Sequence, residues 1–199
     1  IVHGSPFCST NSPILSATSA LRPLSSVISR FTSSHGSLSS LSTALQMVRN
    51  LSAGTPQTSR QLAAIRADPG LLPGAIEEIL RWANPLHYFR RTATAEASLR
   101  EVTIEAGDKL AMMYTSANRA EDVFDDPHRF DITRDPNPHL SFGVAEHFCL
   151  GAHLARLEGR VFFEELLGRF GTIELVGPPA RQRSNLNNAL KSLPVTLTP

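Results

Sequence analysis

One of the two cysteines in these 199 residues, Cys149, stands where a sulfur can do chemistry. The run Phe142-Gly143-Val144-Ala145-Glu146-His147-Phe148-Cys149-Leu150-Gly151 is a glycine-containing loop followed directly by a long helical pattern. A cysteine delivered to a helix N-terminus meets the positive end of the helix dipole and backbone N–H groups, which together stabilise a thiolate. An anionic sulfur facing backbone donors suits a haem-thiolate centre, where it pushes electron density to the iron and hydrogen bonds tune that push. Gly151, two residues further on, lets the start of the helix lie close under a flat macrocycle. Two other readings of the same residues stay open. One is a buried structural cysteine. The other is zinc held by Cys149, His147 and His153, a set without a fourth ligand or the paired spacing of a structural zinc site.

The register of the loop is specific. Phe142, Gly143, His147, Cys149 and Gly151 fall on the pattern F-G-x-G-x-H-x-C-x-G, and residues 61–199 thereby resemble the C-terminal half of a cytochrome P450. Ala145 departs from it, since glycine is usual there. The added methyl is tolerable if φ at that position is negative and costly if it is positive. The resemblance implies that Cys149 ligates the iron of haem b, that His147 contacts a haem propionate, and that Phe142, Gly143 and Gly151 shape the seat. Arg91, in the run Arg91-Thr92-Ala93 after Pro85, is similar to the family's strand arginine that meets a propionate. Its neighbour Arg90 competes, but alternation sends the two to opposite strand faces, so only one reaches.

The resemblance further implies a monooxygenase that inserts one oxygen atom from O2 into a small, lipophilic organic substrate. Electrons would come from NAD(P)H through a ferredoxin and ferredoxin reductase type of redox partner. The run Pro136-Asn137-Pro138-His139 resembles soluble bacterial members, and Ser184-Asn185-Leu186-Asn187-Asn188 resembles branches acting on sterols or branched lipids. A cytoplasmic location follows from the same resemblance. The alternative is a truncated or frame-disrupted chain that at most binds haem.

Other elements must position this loop. Glu78 and Arg81 are three apart on a predicted helix and so share a face. An isolated pair of that kind is usually a solvated surface contact. In the family such a pair joins a second arginine from a Pro-x-Arg-Phe segment, which here selects Arg129 in Pro127-His128-Arg129-Phe130. A carboxylate held by two guanidinium groups would pin the irregular stretch leading to the cysteine. The patterns predict helices over 60–68, 74–82 and 151–169, with Leu150, Leu154, Leu157 and Val161 as the apolar face of the last. Strands are expected at 90–95, 98–104, 109–115, 172–176 and 193–197, with a turn at 105–108. The expected fold is mainly α with small β-sheets, the C-terminal part of the cytochrome P450 fold preceded by a low-complexity segment.

Composition marks that boundary. Residues 1–60 hold 16 Ser and 6 Thr but no Asp or Glu, whereas 61–199 hold all 18 acidic residues. A serine-rich, acid-free stretch resembles a transit peptide, a disordered segment, or a segment foreign to the family. It is expected to be disordered. The family's distal helix, with its acid-Thr pair, would fall near Ser42-Thr43, where there is no acid. Basic residues are scattered, which argues against a nucleic-acid partner. No run approaches the roughly 18 apolar residues of a membrane span.

Overall fold

Proline and glycine punctuate the first helices. The computed structural model describes residues 56–199, so the serine-rich segment up to residue 55, with Ser42-Thr43, lies outside the described residues. Helix α1 (Pro56–Ala67) runs through the boundary expected at residue 60 and stops before Pro69. Asp68 caps a short 3-10 turn (Pro69–Leu71) by accepting from the Gly70 N–H. Helix α2 (Leu72–Ala83) carries proline in its first turn and ends on Asn84 in the left-handed conformation, followed by Pro85. The Asn84 side chain donates to the Leu86 carbonyl and Thr115 Oγ1, each at 2.8 Å, which secures the exit from the helix.

Four antiparallel strand pairs follow. β1 (Tyr88–Thr92) pairs with β4 (Lys109–Met113), with Arg91 opposite Leu110 and Arg90 opposite Ala111. The single strand expected at 98–104 is instead a hairpin of β2 (Ala97–Leu99) and β3 (Val102–Ile104). Arg100, at φ +54, makes its turn. A four-residue helix α3 (Tyr114–Ala117) leads into an irregular stretch, and helix α4 (Ala152–Arg169) follows the cysteine loop. In the tail β5 (Thr172–Leu175) pairs with β8 (Val195–Thr198), and β6 (Ala180–Arg181) with β7 (Leu190–Ser192). Among the described residues no helix is long and apolar enough to cross a membrane.

The core joins α2 to α4. Ala75, Ile76, Ile79 and Leu80 pack with Phe162, Phe163 and Leu166, while Ile65, Phe130 and Ile132 close the sides. The stripe of Leu150, Leu154, Leu157 and Val161 does not serve as the packed face of α4, because all four are exposed and Leu150 is 100 % so. The helix has two apolar faces, and the one bearing Ala152, Gly159, Phe162 and Phe163 meets α2. Periodicity alone does not choose between them.

Charge holds the irregular stretch in place. Glu78 and Arg81 are both fully buried, with side chains 0 % exposed. Arg81 Nε and Nη2 each donate to the Glu78 carboxylate at 2.7 Å. Arg81 also donates to the carbonyls of Asn118, Pro127 and Arg129 at 2.8, 2.9 and 3.1 Å, which occupies all of its N–H groups. Glu78 accepts from the Asp131 backbone N–H (2.8 Å) and Asn137 Nδ2 (3.1 Å).

The second guanidinium belongs to Arg134, whose Nε lies 3.3 Å from Glu78 Oε2. This corrects the expectation of Arg129, whose side chain is 58 % exposed and among the described residues reaches only Asp131, at 3.9 Å. Arg129 contributes its carbonyl instead, accepting from both Arg81 and Arg134. Arg81 brings more N–H groups than Glu78 can take, so the stretch turns carbonyls inward and the Arg129 side chain is left outside. Glu78→Ala should therefore cost about 3 to 5 kcal/mol by stranding buried cations. Arg129→Ala should stay within about 0.5 kcal/mol, as for an ordinary surface change. Denaturant unfolding of the full chain measures both.

Candidate functional site

The cysteine loop is tied down on its entry side. The Leu140 N–H donates to Asn118 Oδ1 at 2.7 Å, and Ser141 Oγ donates to the Leu80 carbonyl at 2.8 Å. Asn118 Nδ2 returns a bond to Ser141 Oγ at 2.9 Å. Asn118 and Ser141 are buried, so the end of α2, the end of α3 and the loop entry share one polar knot. Gly143 follows at φ +74, and a Cβ there would sit 3.1 Å from the His147 carbonyl oxygen and 3.4 Å from Tyr114 Oη. Glycine is required at this position for both reasons.

The turn itself is a 3-10 segment (Ala145–His147), closed by the Phe148 N–H on the Ala145 carbonyl at 3.0 Å. The Cys149 N–H donates to the Phe142 carbonyl at 2.8 Å, which brings the two ends of the loop together. Cys149 is a free, exposed thiol, and the Ala152 N–H donates to its carbonyl at 3.1 Å as the first contact of α4. Residues 144–151 are exposed without interruption. Val144, Phe148 and Leu150 give this face apolar side chains, and a Cβ on Gly151 would enter the space 3.8 Å from Cys149 Sγ. An apolar, open face around a thiol, with His147 at its edge, fits a flat macrocycle ligated through sulfur. Zinc fits less well. Among the described residues no three His, Cys, Asp or Glu side chains gather as a metal site, so Cys149, His147 and His153 do not form one.

Arg91 is half-buried on β1, with its guanidinium on the Arg90 carbonyl at 3.0 Å. By strand alternation it shares a face with Phe89, whose ring lies 5.8 Å from that of Tyr114. Tyr114 Oη would lie 3.4 Å from a Cβ on Gly143, so this strand face leads to the loop and Arg90 lies on the other.

A second ionic group borders the loop. Arg156 on α4 grips Glu77 on α2 through Nε (2.6 Å) and Nη2 (2.8 Å), and His139 Nε2 meets the same carboxylate at 3.0 Å. Burial pushes the Glu77 carboxyl up, but the hydrogen bonds from Arg156 and His139 outweigh it and bring the pKa down from 4.5 to about 2. A lowered carboxyl contributes stability that is complete above pH 4.5 and is lost as pH falls towards 2. Glu77→Gln should remove that part of the acid limb. The stability gap between wild type and variant should then shrink from pH 5 to pH 2 in denaturant titrations run at each pH. Glu77, His139, Arg156, Asn118 and Ser141 escaped the sequence reading, since their partners lie up to 79 residues away.

Ala145 sits at φ +56, the unfavourable case for the methyl that replaces glycine. Left-handed backbone costs a non-glycine residue about 1 kcal/mol. Ala145→Gly should recover roughly that amount in thermal or denaturant unfolding, with the loop geometry unchanged.

Residues 64–198 match the family model described as Cytochrome P450. The chain is 45 % identical over 145 residues to cytochrome P450-terp of Pseudomonas sp, covering 73 % of this chain and 34 % of the relative. It is 51 % identical over 128 residues to the methyl-branched lipid omega-hydroxylase of Mycobacterium bovis, covering 64 % of this chain and 30 % of the relative. The crystal structure of CYP108D1 from Novosphingobium aromaticivorans superposes with a TM-score of 0.75 at 39 % identity, over 84 % of this chain and 40 % of that one. The chain thus spans about a third of the length of the curated relatives it matches.

Proposed function

Because this chain belongs to the cytochrome P450 family, we propose that Cys149 is the proximal ligand of haem b in a monooxygenase that inserts one oxygen atom from O2 into a lipophilic organic substrate. The observation that carries the reading is the exposed Cys149 thiol at the head of α4, inside a loop closed on itself by the Cys149–Phe142 hydrogen bond. When bound, the haem supplies an iron at which a thiolate favours O–O cleavage.

The residues of the chain have separate tasks. Cys149 presents the sulfur. Val144, Phe148 and Leu150 would offer the macrocycle an apolar face beside it. His147 and Arg91 would meet the propionates, and the cation of Arg91 is worth most where water is excluded. Phe142, Gly143 and Gly151 give the loop its closure, its turn and its clearance.

Lipophilicity of the substrate is supported by exposed Phe89 and by half-buried Met112, directly opposite it on the same face of the β1–β4 sheet. Leu186 joins them, since its carbonyl accepts from His87 N–H at 2.9 Å beside β1. The activity for which the mycobacterial relative is named makes branched lipids the class to test first. Electrons would arrive from NAD(P)H through a ferredoxin-type redox partner, in the cytoplasm.

A second reading, haem binding without turnover, rests on the exposed stripe from Leu150 to Val161, which nothing covers among the described residues. Loading the full chain with haemin tests the first step. The reduced carbonyl complex should show the red-shifted Soret band of thiolate ligation, and Cys149→Ser should abolish it. A band that survives the substitution would remove Cys149 from the site. Substrate oxidation with a ferredoxin system then separates the two readings.

A further inference from the structure

Helix α2 carries two adjacent carboxylates, and successive residues on a helix point about 100° apart. Glu78 faces Arg81 and Arg134, whereas Glu77 faces α4 and the approach to the cysteine loop. Three chain segments converge on Glu77. They are α2 itself, the residues before the loop through His139, and α4 through Arg156.

The histidine is oriented by two bonds. The Ser141 backbone N–H donates to His139 Nδ1 at 3.3 Å, which leaves the proton on Nε2, facing Glu77. Its side chain is only 3 % exposed. Arg156 does double duty. While gripping Glu77 it lies 4.7 Å over the ring of Phe142, and His139 lies 6.0 Å from the same ring. The Phe142 carbonyl, in turn, accepts the Cys149 N–H. A closed circuit results, running from Cys149 along α4 to Arg156, across to Phe142 and back to Cys149, with Glu77 as the fixed point outside it.

We propose that Glu77, His139 and Arg156 are positioning residues for Cys149, acting through the Phe142 ring to keep the Cys149–Phe142 hydrogen bond closed. The inference rests on the reading that Cys149 is the working residue of the loop. An ordinary surface ion pair would contribute little and would be indifferent to the loop. This one differs in being bidentate, in joining residues 79 apart, and in covering an aromatic face with the same cation.

Peptide-resolved hydrogen exchange on the full chain reads the proposal without haem. Arg156→Met keeps the apolar stem and removes the fork. It should speed exchange in peptides covering residues 142–150 by about ten- to a hundredfold, the size of a lost charge-assisted bond. Peptides from β5 and β8 should keep the wild-type rate. Arg156→Lys, which restores the charge without the fork, should fall between. Should Arg156→Met not fold, Glu77→Gln carries the same comparison. An unchanged loop overturns the proposal, and so does equal acceleration everywhere, which would mark a general loss of stability.

On haemin-loaded protein, Arg156→Met should move part of the reduced carbonyl Soret band away from the thiolate position. If the wild type itself lacks that band, the haem assignment fails. The exchange result still decides whether the clamp holds the loop.

Discussion

The buried Glu78–Arg81 pair is the constraint on which the rest of this structure depends. Both charges are removed from water, an arrangement that is tolerable only when every lone pair and N–H finds a partner. Arg81 meets that condition with three backbone carbonyls from a stretch that has no regular structure of its own. The requirement runs in both directions. The arginine needs those carbonyls, and the stretch needs the arginine, because its own backbone forms few hydrogen bonds that would otherwise fix its course. The loop bearing Cys149 starts where this stretch ends, so its entry point inherits the position of the pair.

The loop then adds a second level of control. Asn118 and Ser141 fix the backbone that enters it, while Glu77, His139 and Arg156 bracket the aromatic ring at its base. Charge on α2 is thus divided between two neighbours with different duties. One carboxylate anchors the scaffold and the other faces the site.

Much of the candidate site was legible because its signals are local. The five loop positions fall within ten residues, Glu78 and Arg81 lie one helical turn apart, and Pro73 and Asn84-Pro85 bound α2 by simple backbone rules. What was illegible depended on distance or on orientation in irregular chain. Arg129 sits in a matching tetrapeptide, yet a segment without periodicity gives no sign of which way a side chain points, and Arg134 five residues later fills the place. The hairpin at Arg100 was hidden because an arginine, not a glycine or asparagine, takes the positive φ. The apolar stripe on α4 was real but lay on the face that does not pack against α2. His139 and Arg156 meet Glu77 across 62 and 79 residues, a juxtaposition that no spacing rule encodes.

The order in which the partners of Arg81 arrive has a consequence for folding. Its carbonyl acceptors come 37, 46 and 48 residues after it, whereas Glu78 is three residues before. During synthesis the guanidinium therefore emerges already neutralised by a neighbour on its own helix, but with the three N–H groups that later meet carbonyls still needing water. Closing loops of this length carries an entropy cost that must be met before the contacts repay it. The α2 surface around Arg81 accordingly stays hydrated until the irregular stretch wraps over it. The seat for the thiol is completed by the later elements of the chain, and the nascent protein has no assembled cysteine loop to offer until α4 is made.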